Sequence, residues 1–420
     1  MSSYTILTSQ LPQHEWSKFL HGTLRDCLPG ALPVYCVCRS GLARCVAGGG
    51  DGNGDGGELW VGVAVAAAAT PTPTTTTSTA VATSKSNREE ISLDQVDSLG
   101  KNPWIAAYID LRNPGQTQVW LYASWERDSE SEQQFDVESQ KDYEYDTNNS
   151  ISTSTIPPPP TPPSTSTATA TAIADPRRKD LFESLFSHLR TNHVPRLPAD
   201  PPASWLSLRD SGKIVSTPYS RSKVLFGSVH ERHLGYFRPR VSNTNTDSSS
   251  SNTSTNTLKT PPTTRPPSLY NKYIIAATPL QLHARLDALI PPDLRLDTLH
   301  PIHHPIVLAR SPIPRSLATL AQMRNVAVLD ADDTPVSWGF VGRDGSIASL
   351  WTEEAWRRRG LAAVVARRLM QVASKKDEGN DVVYFHADVG MDNVGSGRVM
   401  EAVGGRVGWR VAWVEVELGV

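Results

Sequence analysis

The chain has 420 residues, of which 39% are hydrophobic and 20% charged, with a formal net charge of −2. That length suggests about two or three domains, and the balanced charge argues against a nucleic-acid or membrane-surface protein, while 32 prolines and long Ser/Thr tracts keep much of the sequence out of any core. No run is long and apolar enough to span a bilayer, Leu59–Ala69 being the nearest candidate, and no basic-then-apolar leader opens the sequence, so the default expectation is a cytoplasmic protein.

In chain order, Trp16, Phe19, Leu20 and Leu24 recur at helical spacing behind Pro12 and predict a helix over Pro12–Leu28. Leu32–Cys38 is a short apolar run that reads as a buried strand. Cys27, Cys36, Cys38 and Cys45 lack the paired spacing of a zinc site and read as small core hydrophobes. Asp51–Gly56 begins like a calcium loop. Gly62 stands where that loop needs its acidic twelfth ligand, so a flexible glycine-rich turn is expected. Trp104–Leu111 and Gln116–Ser124 are strands split by the turn Asn113-Pro114-Gly115. Leu181, Phe182, Leu185, Phe186 and Leu189 mark an amphipathic helix. Lys223–Val229 and Tyr270–Ala277 read as strands, and Leu280–Ile290 as a helix stopped by Pro291-Pro292. Three Ser/Thr/Pro-biased segments, at about 66–86, 128–175 and 241–267, interrupt this half; they bury too little apolar area to offset ordering entropy and are expected to be disordered insertions.

From Leu294 onward the pattern is dense. A helix is expected to begin at Ile313–Leu317. Strands follow at Asn325–Leu329, Val336–Val341 and Ser346–Thr352, separated by turns at Asp330–Thr334 and Arg343-Asp344-Gly345, which makes an antiparallel meander of three. A helix from near Trp356 to Ser374 puts Leu361, Val365, Leu369 and Val372 on one face. Val382–Val389 is a strand that a helical connection should set parallel to the third. A helix over Asn393–Val403 and an alternating strand over Arg410–Leu418 complete the order β-β-β-α-β-α-β. The expected organisation is a divergent α+β region over 1–293 and a compact α+β domain with a mixed sheet over 294–420.

The chemistry concentrates at Arg357-Arg358-Arg359-Gly360-Leu361-Ala362, a strand-to-helix junction. A helix start offers unpaired N–H groups and the positive end of the dipole, and Gly360 and Ala362 let an anion approach the backbone. The arginines add charge, so the segment suits a pyrophosphate. A solvated arginine cluster is the plainer alternative. A Rossmann site lacks its full Gly-x-Gly-x-x-Gly, and a Walker loop lacks Gly-Lys-Ser/Thr.

These residues resemble the GNAT superfamily of acyl-CoA N-acyltransferases. Arg357, Gly360 and Ala362 match its Arg/Gln-x-x-Gly-x-Gly/Ala signature, and Asn393 and Ser396 match its later Asn-x-x-Ser/Ala. Pro335-Val336-Ser337-Trp338-Gly339, Asp344-Gly345-Ser346-Ile347 and Thr352 resemble the glycine N-acyltransferase-like branch. The resemblance covers about the last 125 residues and implies the GNAT fold, with an acyl-CoA, most simply acetyl-CoA, as co-substrate and a small-molecule or amino-acid amine as acceptor. It implies that backbone groups of Leu350, Trp351 and Thr352 pair with the pantetheine arm, that 357–363 cradles the pyrophosphate, and that Asn393 contacts the cofactor arm. Two departures stand out. No acid lies on Ser346–Thr352, with Glu353 and Glu354 only after it, and Met400 stands where many members place a proton-donating Tyr. Ser396 and His386 are then the candidate catalytic groups, with a core histidine as the alternative for His386. The competing readings are a non-catalytic acyl-CoA-binding module and, against the charge balance, a nucleic-acid binder.

Overall fold

The computed structural model describes residues 4–47, 57–66, 102–126, 175–214, 218–237, 267–278, 282, 284–374 and 383–419, with side chains left undescribed at 4, 13, 40–47 and 66. The three biased segments, apart from their edges, and Asp51–Gly56 fall outside these residues, as does the side chain of Cys45. Among the described residues no helix is long and apolar enough to cross a membrane.

The strands are β1 (Tyr4–Gln10), β2 (Glu58–Ala66), β3 (Trp104–Ile109), β4 (Val119–Ala123), β5 (Lys223–His230), β6 (Leu269–Ala277), β7 (Arg295–Asp297), β8 (Asn325–Leu329), β9 (Pro335–Val341), β10 (Ile347–Thr352), β11 (Val383–Gly390) and β12 (Gly405–Glu417). The longer helices are α1 (Leu32–Ala47), α2 (Pro176–His188), α3 (Ala203–Asp210), α4 (His304–Arg310), α5 (Leu317–Ala321), α6 (Leu361–Ala373) and α7 (Val394–Ala402). One sheet runs β1-β2-β3-β4-β5-β12-β6-β11 and a second β10-β9-β8-β7. β10 and β11 face each other without a ladder, so the two sheets form one strand series with a single missing seam.

The two halves repeat one order: a strand, helical segments, three strands, a helix, a strand, a helical segment and a last strand. Residues 13–27 with α1 correspond to α4 and α5, α2 to α6, and residues 231–237 to α7. The strand series is palindromic about the β12–β6 pair, because each half gives its last strand to the other. β12 pairs antiparallel with β5 and β6, and β6 pairs antiparallel with β11 and β12. The expected fold class, an α+β architecture on a mixed sheet in the GNAT element order, is the one observed.

Four apolar clusters fill the layers. Leu181, Phe182, Leu185 and Phe186 of α2 pack on one face of the first sheet. Phe19, Leu20, Val34 and Val37 pack on the other. In the last third, Val365, Leu369 and Met370 of α6, with Met400 of α7, cover Ile275, Phe385 and Ala387. Val307 and Leu320 of α4 and α5 cover Trp338 and Phe340. At about 1.5–3 kcal/mol for each fully buried large apolar side chain, these clusters dominate the favourable side of folding.

Several expectations need correction. Leu32–Cys38 is the start of α1, not a strand; six of its seven residues are buried, so this stretch shows no polar face to betray its period. The single helix over Pro12–Leu28 is a broken succession of short 3-10, α and π turns. Of the helix expected over Leu280–Ile290, the described residues show a 3-10 turn at Asp287–Leu289. The helix expected at Ile313 begins at Leu317, where the Ser316 hydroxyl caps it by accepting from the Thr319 N–H. The three-strand meander gains β7 as a fourth strand. The helix expected from Trp356 begins at Leu361, after a 3-10 turn at Glu354–Trp356. β11 does not pair with β10; its ladder partner is β6, from the other half.

The turns follow the sequence closely. Gly115 and Gly345 adopt φ of 83° and 79° in the two expected turns, a region that favours glycine. The halves are fastened at that second turn. Arg343 bonds Asp110, whose carboxylate also holds Arg112 at 2.8 Å. Burial pushes Asp110 up, but the two guanidiniums outweigh it and hold the carboxyl well below the usual range.

Candidate functional site

β10 is bulged. Its register against β9 shifts between Ala348 and Trp351, and Ser349 takes φ 51°. A bulge re-aims backbone groups and releases a strand from its neighbour. The Ser349 hydroxyl and the Trp351 Nε1 are buried without a hydrogen-bond partner. Leu350, Trp351 and Thr352 therefore run along the edge that faces the open seam towards β11.

Beyond Thr352 the chain enters α6 through a strained loop. Arg358 and Gly360 take φ of 62° and 78°. Gly360 is the N-cap without a side-chain cap, and a Cβ there would meet nothing within 4 Å. The first N–H turned back into the helix is that of Ala363, which donates to the Gly360 carbonyl at 3.0 Å. Those of Leu361 and Ala362 precede it at the positive end of the helix. Arg357 lies over the Trp351 ring at 5.1 Å and donates to the Thr352 carbonyl. Arg359 lies over Trp356 at 4.7 Å, and Arg358 is exposed. Indole faces thus hold two guanidiniums beside the helix mouth.

Across the seam, Asn393 caps α7 by accepting from the Ser396 N–H at 3.0 Å, and Ser396 is half-buried in the first turn. A depression opens between the start of β6, at Ser268–Tyr270, and Gly390–Asn393. Met400 is buried. The Tyr273 hydroxyl reaches the same turn from β6, since a Cβ on Gly397 would lie 2.9 Å from it. Burial raises the Tyr273 pKa, so the phenol stays protonated at neutral pH. Sequence reasoning missed this residue. It lies in the first half, and only the strand exchange carries it here.

Of the two readings of His386, catalytic group or core histidine, its surroundings fit the second. It is fully buried on β11; its Nε2 donates to the Asp344 carbonyl at 2.9 Å, and its Nδ1 accepts from Lys272 at 3.1 Å. Burial, then the Lys272 charge, lowers its pKa and keeps it neutral. With both nitrogens engaged it has no lone pair for a substrate proton, and it is a core residue. No hydrogen bond among the described residues joins it to Ser396. Lys272 is itself buried and bridges to Asp388 at 2.7 Å. Glu353, just past β10, pairs with Arg310 at 3.0 Å.

The corresponding seam of the first half is closed. β4 and β5 pair in parallel at Val119 and Trp120. Beyond them Glu126, His230 and His233 are buried among Trp125, Phe182 and Tyr236, with Glu126 Oε1 at 2.9 Å from His233 Nε2. Burial raises Glu126 to about 7 and lowers His230 and His233 to about 3.

Residues 65–273 match the family model described as the acyl-CoA N-acyltransferase verG N-terminal domain. The match spans just under half of the chain and supports the GNAT superfamily. No curated protein matches. Among solved structures, a Drosophila protein aligns over 98% of this chain and 99% of its own, at 11% identity and TM-score 0.49. A GCN5-related N-acetyltransferase from Sphaerobacter thermophilus aligns over 99% and 96%, at 12% identity and TM-score 0.41. A putative GNAT-family acetyltransferase from Novosphingobium aromaticivorans aligns over 38% and 70%, at 17% identity and TM-score 0.28.

Proposed function

We propose that this chain is an acyl-CoA-dependent N-acyltransferase, with acetyl-CoA the simplest donor and a small-molecule or amino-acid amine as acceptor. The observation that carries the reading is the uncapped, left-handed Gly360 at the mouth of α6, set directly beyond a bulged strand that borders an unpaired seam.

In this reading the Leu361 and Ala362 N–H groups and the Arg357, Arg358 and Arg359 guanidiniums bind the diphosphate. Leu350, Trp351 and Thr352 offer strand-like backbone pairing to the pantetheine. Asn393 Oδ1 is used in capping, which leaves Nδ2 to donate to the cofactor arm. The amine attacks the thioester carbonyl, a C–N bond forms, and negative charge gathers on the carbonyl oxygen. A backbone N–H freed by the bulge is the group suited to hold that oxyanion. Collapse breaks the C–S bond. The sulfur takes its proton from Ser396 or Tyr273, two hydroxyls at the first turn of α7, and the nitrogen loses one to solvent. No ionisable base on β10 takes part, so positioning supplies much of the acceleration.

The test is turnover by the full chain: free thiol released from acetyl-CoA over a panel of amines, and lost in Gly360→Glu. A second reading, an acyl-CoA-binding module without catalysis, is favoured by Met400 and by the sealed His386. It predicts thermal stabilisation by coenzyme A with no thiol release from any amine.

A further inference from the structure

Away from the seam, at the opposite end of the first half, a 3-10/π succession follows α2. The π turn Leu189–His193 widens the helix by one residue per turn, so that His188 and His193 fall on the same side. Such turns are uncommon and recur at functional positions. Both rings meet Glu58, the first residue of β2. His188 Nε2 lies 2.5 Å from Glu58 Oε1, and His193 Nε2 lies 3.1 Å from Oε2. The three donor atoms all lie within 4.8 Å of one another.

Three further features separate this group from an ordinary ion pair. His193 Nε2 is buried and faces Glu58 Oε2 at 3.1 Å without a hydrogen bond of acceptable geometry. His188 Nδ1 is 2.9 Å from the Asn192 side-chain amide. An outer hydrogen bond on the far ring nitrogen orients a ligating imidazole, and the amide can present its oxygen to Nδ1–H. The Glu58 carboxylate turns a different oxygen to each ring, Oε1 to His188 and Oε2 to His193, so both imidazoles converge on one carboxylate ligand. A second cluster of metal-ligand type, Asp344, His386 and Asp388, is already engaged, with both His386 nitrogens hydrogen-bonded. The Lys272 ammonium already occupies its cation position, 2.7 Å from Asp388.

We propose that Glu58, His188 and His193 form a site for one divalent zinc-class ion, which fastens the end of α2 to the start of β2. Two imidazole nitrogens and one carboxylate oxygen are a borderline-soft donor set that suits Zn²⁺ over Mg²⁺ or Ca²⁺. Bonds of about 2.1 Å in a tetrahedral array separate the donors by about 3.4 Å. The present spacings reach that with shifts of about 1 Å, leaving the fourth position to water. The site lies outside the seam, and its occupancy is separable from acyl transfer.

The experiment uses the full chain, stripped with a chelator and titrated with Zn²⁺ against a chromophoric competitor. Co²⁺ is added in parallel and followed by visible absorption. The expected result is one equivalent per chain, an intense four-coordinate Co²⁺ band, and a rise in Tm with Zn²⁺. His193→Asn and Glu58→Gln should each weaken Zn²⁺ at least tenfold. Circular dichroism of both variants shows whether the fold is kept. If Glu58→Gln unfolds, His193→Asn decides, since it lies in a partly exposed turn. Failure of the wild-type chain to bind stoichiometrically overturns the proposal. So does unchanged affinity in a folded variant, or a weak six-coordinate Co²⁺ spectrum alone.

Discussion

Replacing Gly360 with glutamate, alongside alanine as its control, separates backbone conformation from charge. Gly360 sits at φ 78° and a Cβ there would meet nothing within 4 Å, so neither side chain clashes. Both variants carry the same left-handed penalty, about 1 kcal/mol, which in a chain of this size lowers Tm by a few degrees at most. Alanine leaves the Leu361 and Ala362 N–H groups open and should change affinity for acetyl-CoA by less than about threefold. Glutamate places a carboxylate on the order of 6 Å from two phosphate charges; with an effective dielectric near 60 the repulsion is roughly 2 kcal/mol. Competition for one N–H adds about 1 kcal/mol. Together these weaken acetyl-CoA by roughly a hundredfold, read by calorimetry on the full chain, and the deficit should shrink with salt. Wild-type affinity in a folded Gly360→Glu would refute the placement of the diphosphate at α6.

Three other outcomes follow from the geometry. Tyr273→Phe should lower kcat by about a hundredfold with little change in acetyl-CoA affinity, the usual size of a lost proton donor; an unchanged kcat leaves Ser396 as the donor. Buried His230 and His233 are neutral in the fold, with pKa values near 3, whereas the unfolded chain protonates them below about 6.5. Their contribution is therefore present above pH 6.5 and is lost as pH falls, each adding about 1.4 kcal/mol per pH unit to the slope. Glu126, raised to about 7, works the other way: it keeps its proton in the fold and loses stability as pH rises from about 4.5 to 7. Urea midpoints between pH 4.5 and 6.5 should rise with pH, and His233→Phe should flatten that slope by one proton; an unaltered slope would contradict the buried neutral imidazole. Asp110→Ala leaves Arg343 and Arg112 without their shared carboxylate and should cost roughly 3 kcal/mol, seen in the urea midpoint.

The last third was largely legible because its elements announce themselves. Alternation in Val336–Val341, the Asp-Gly turn at Gly345, and the apolar stripe from Leu361 to Leu369 each encode one local structure. Gly360 was legible too, since few other residues tolerate that φ. α1 was not, because its first stretch, Leu32–Cys38, is buried almost all round and shows no period, and its β-branched and Cys content imitates a strand. Ser349 gave no warning of its bulge, since serine at positive φ is chosen by the surrounding sheet. The environment of His386 was illegible for another reason. Lys272 lies 114 residues away in the chain, and a strand does not name its neighbour.

The exchange of last strands makes each half the completion of the other. β11 finds its ladder on β6 and β5 finds its own on β12. A fragment beginning at Leu294 would therefore keep the α6 mouth but lose the backbone partner of β11, along with Tyr273 and Lys272. Its raw strand edge would invite pairing with a second fragment. Cleavage between Ala277 and Arg295 should leave the pieces clasped together through an uninterrupted mesh of main-chain bonds. On the proposed reading, donor binding would then be a property of the interlocked pair, which neither partner carries away alone.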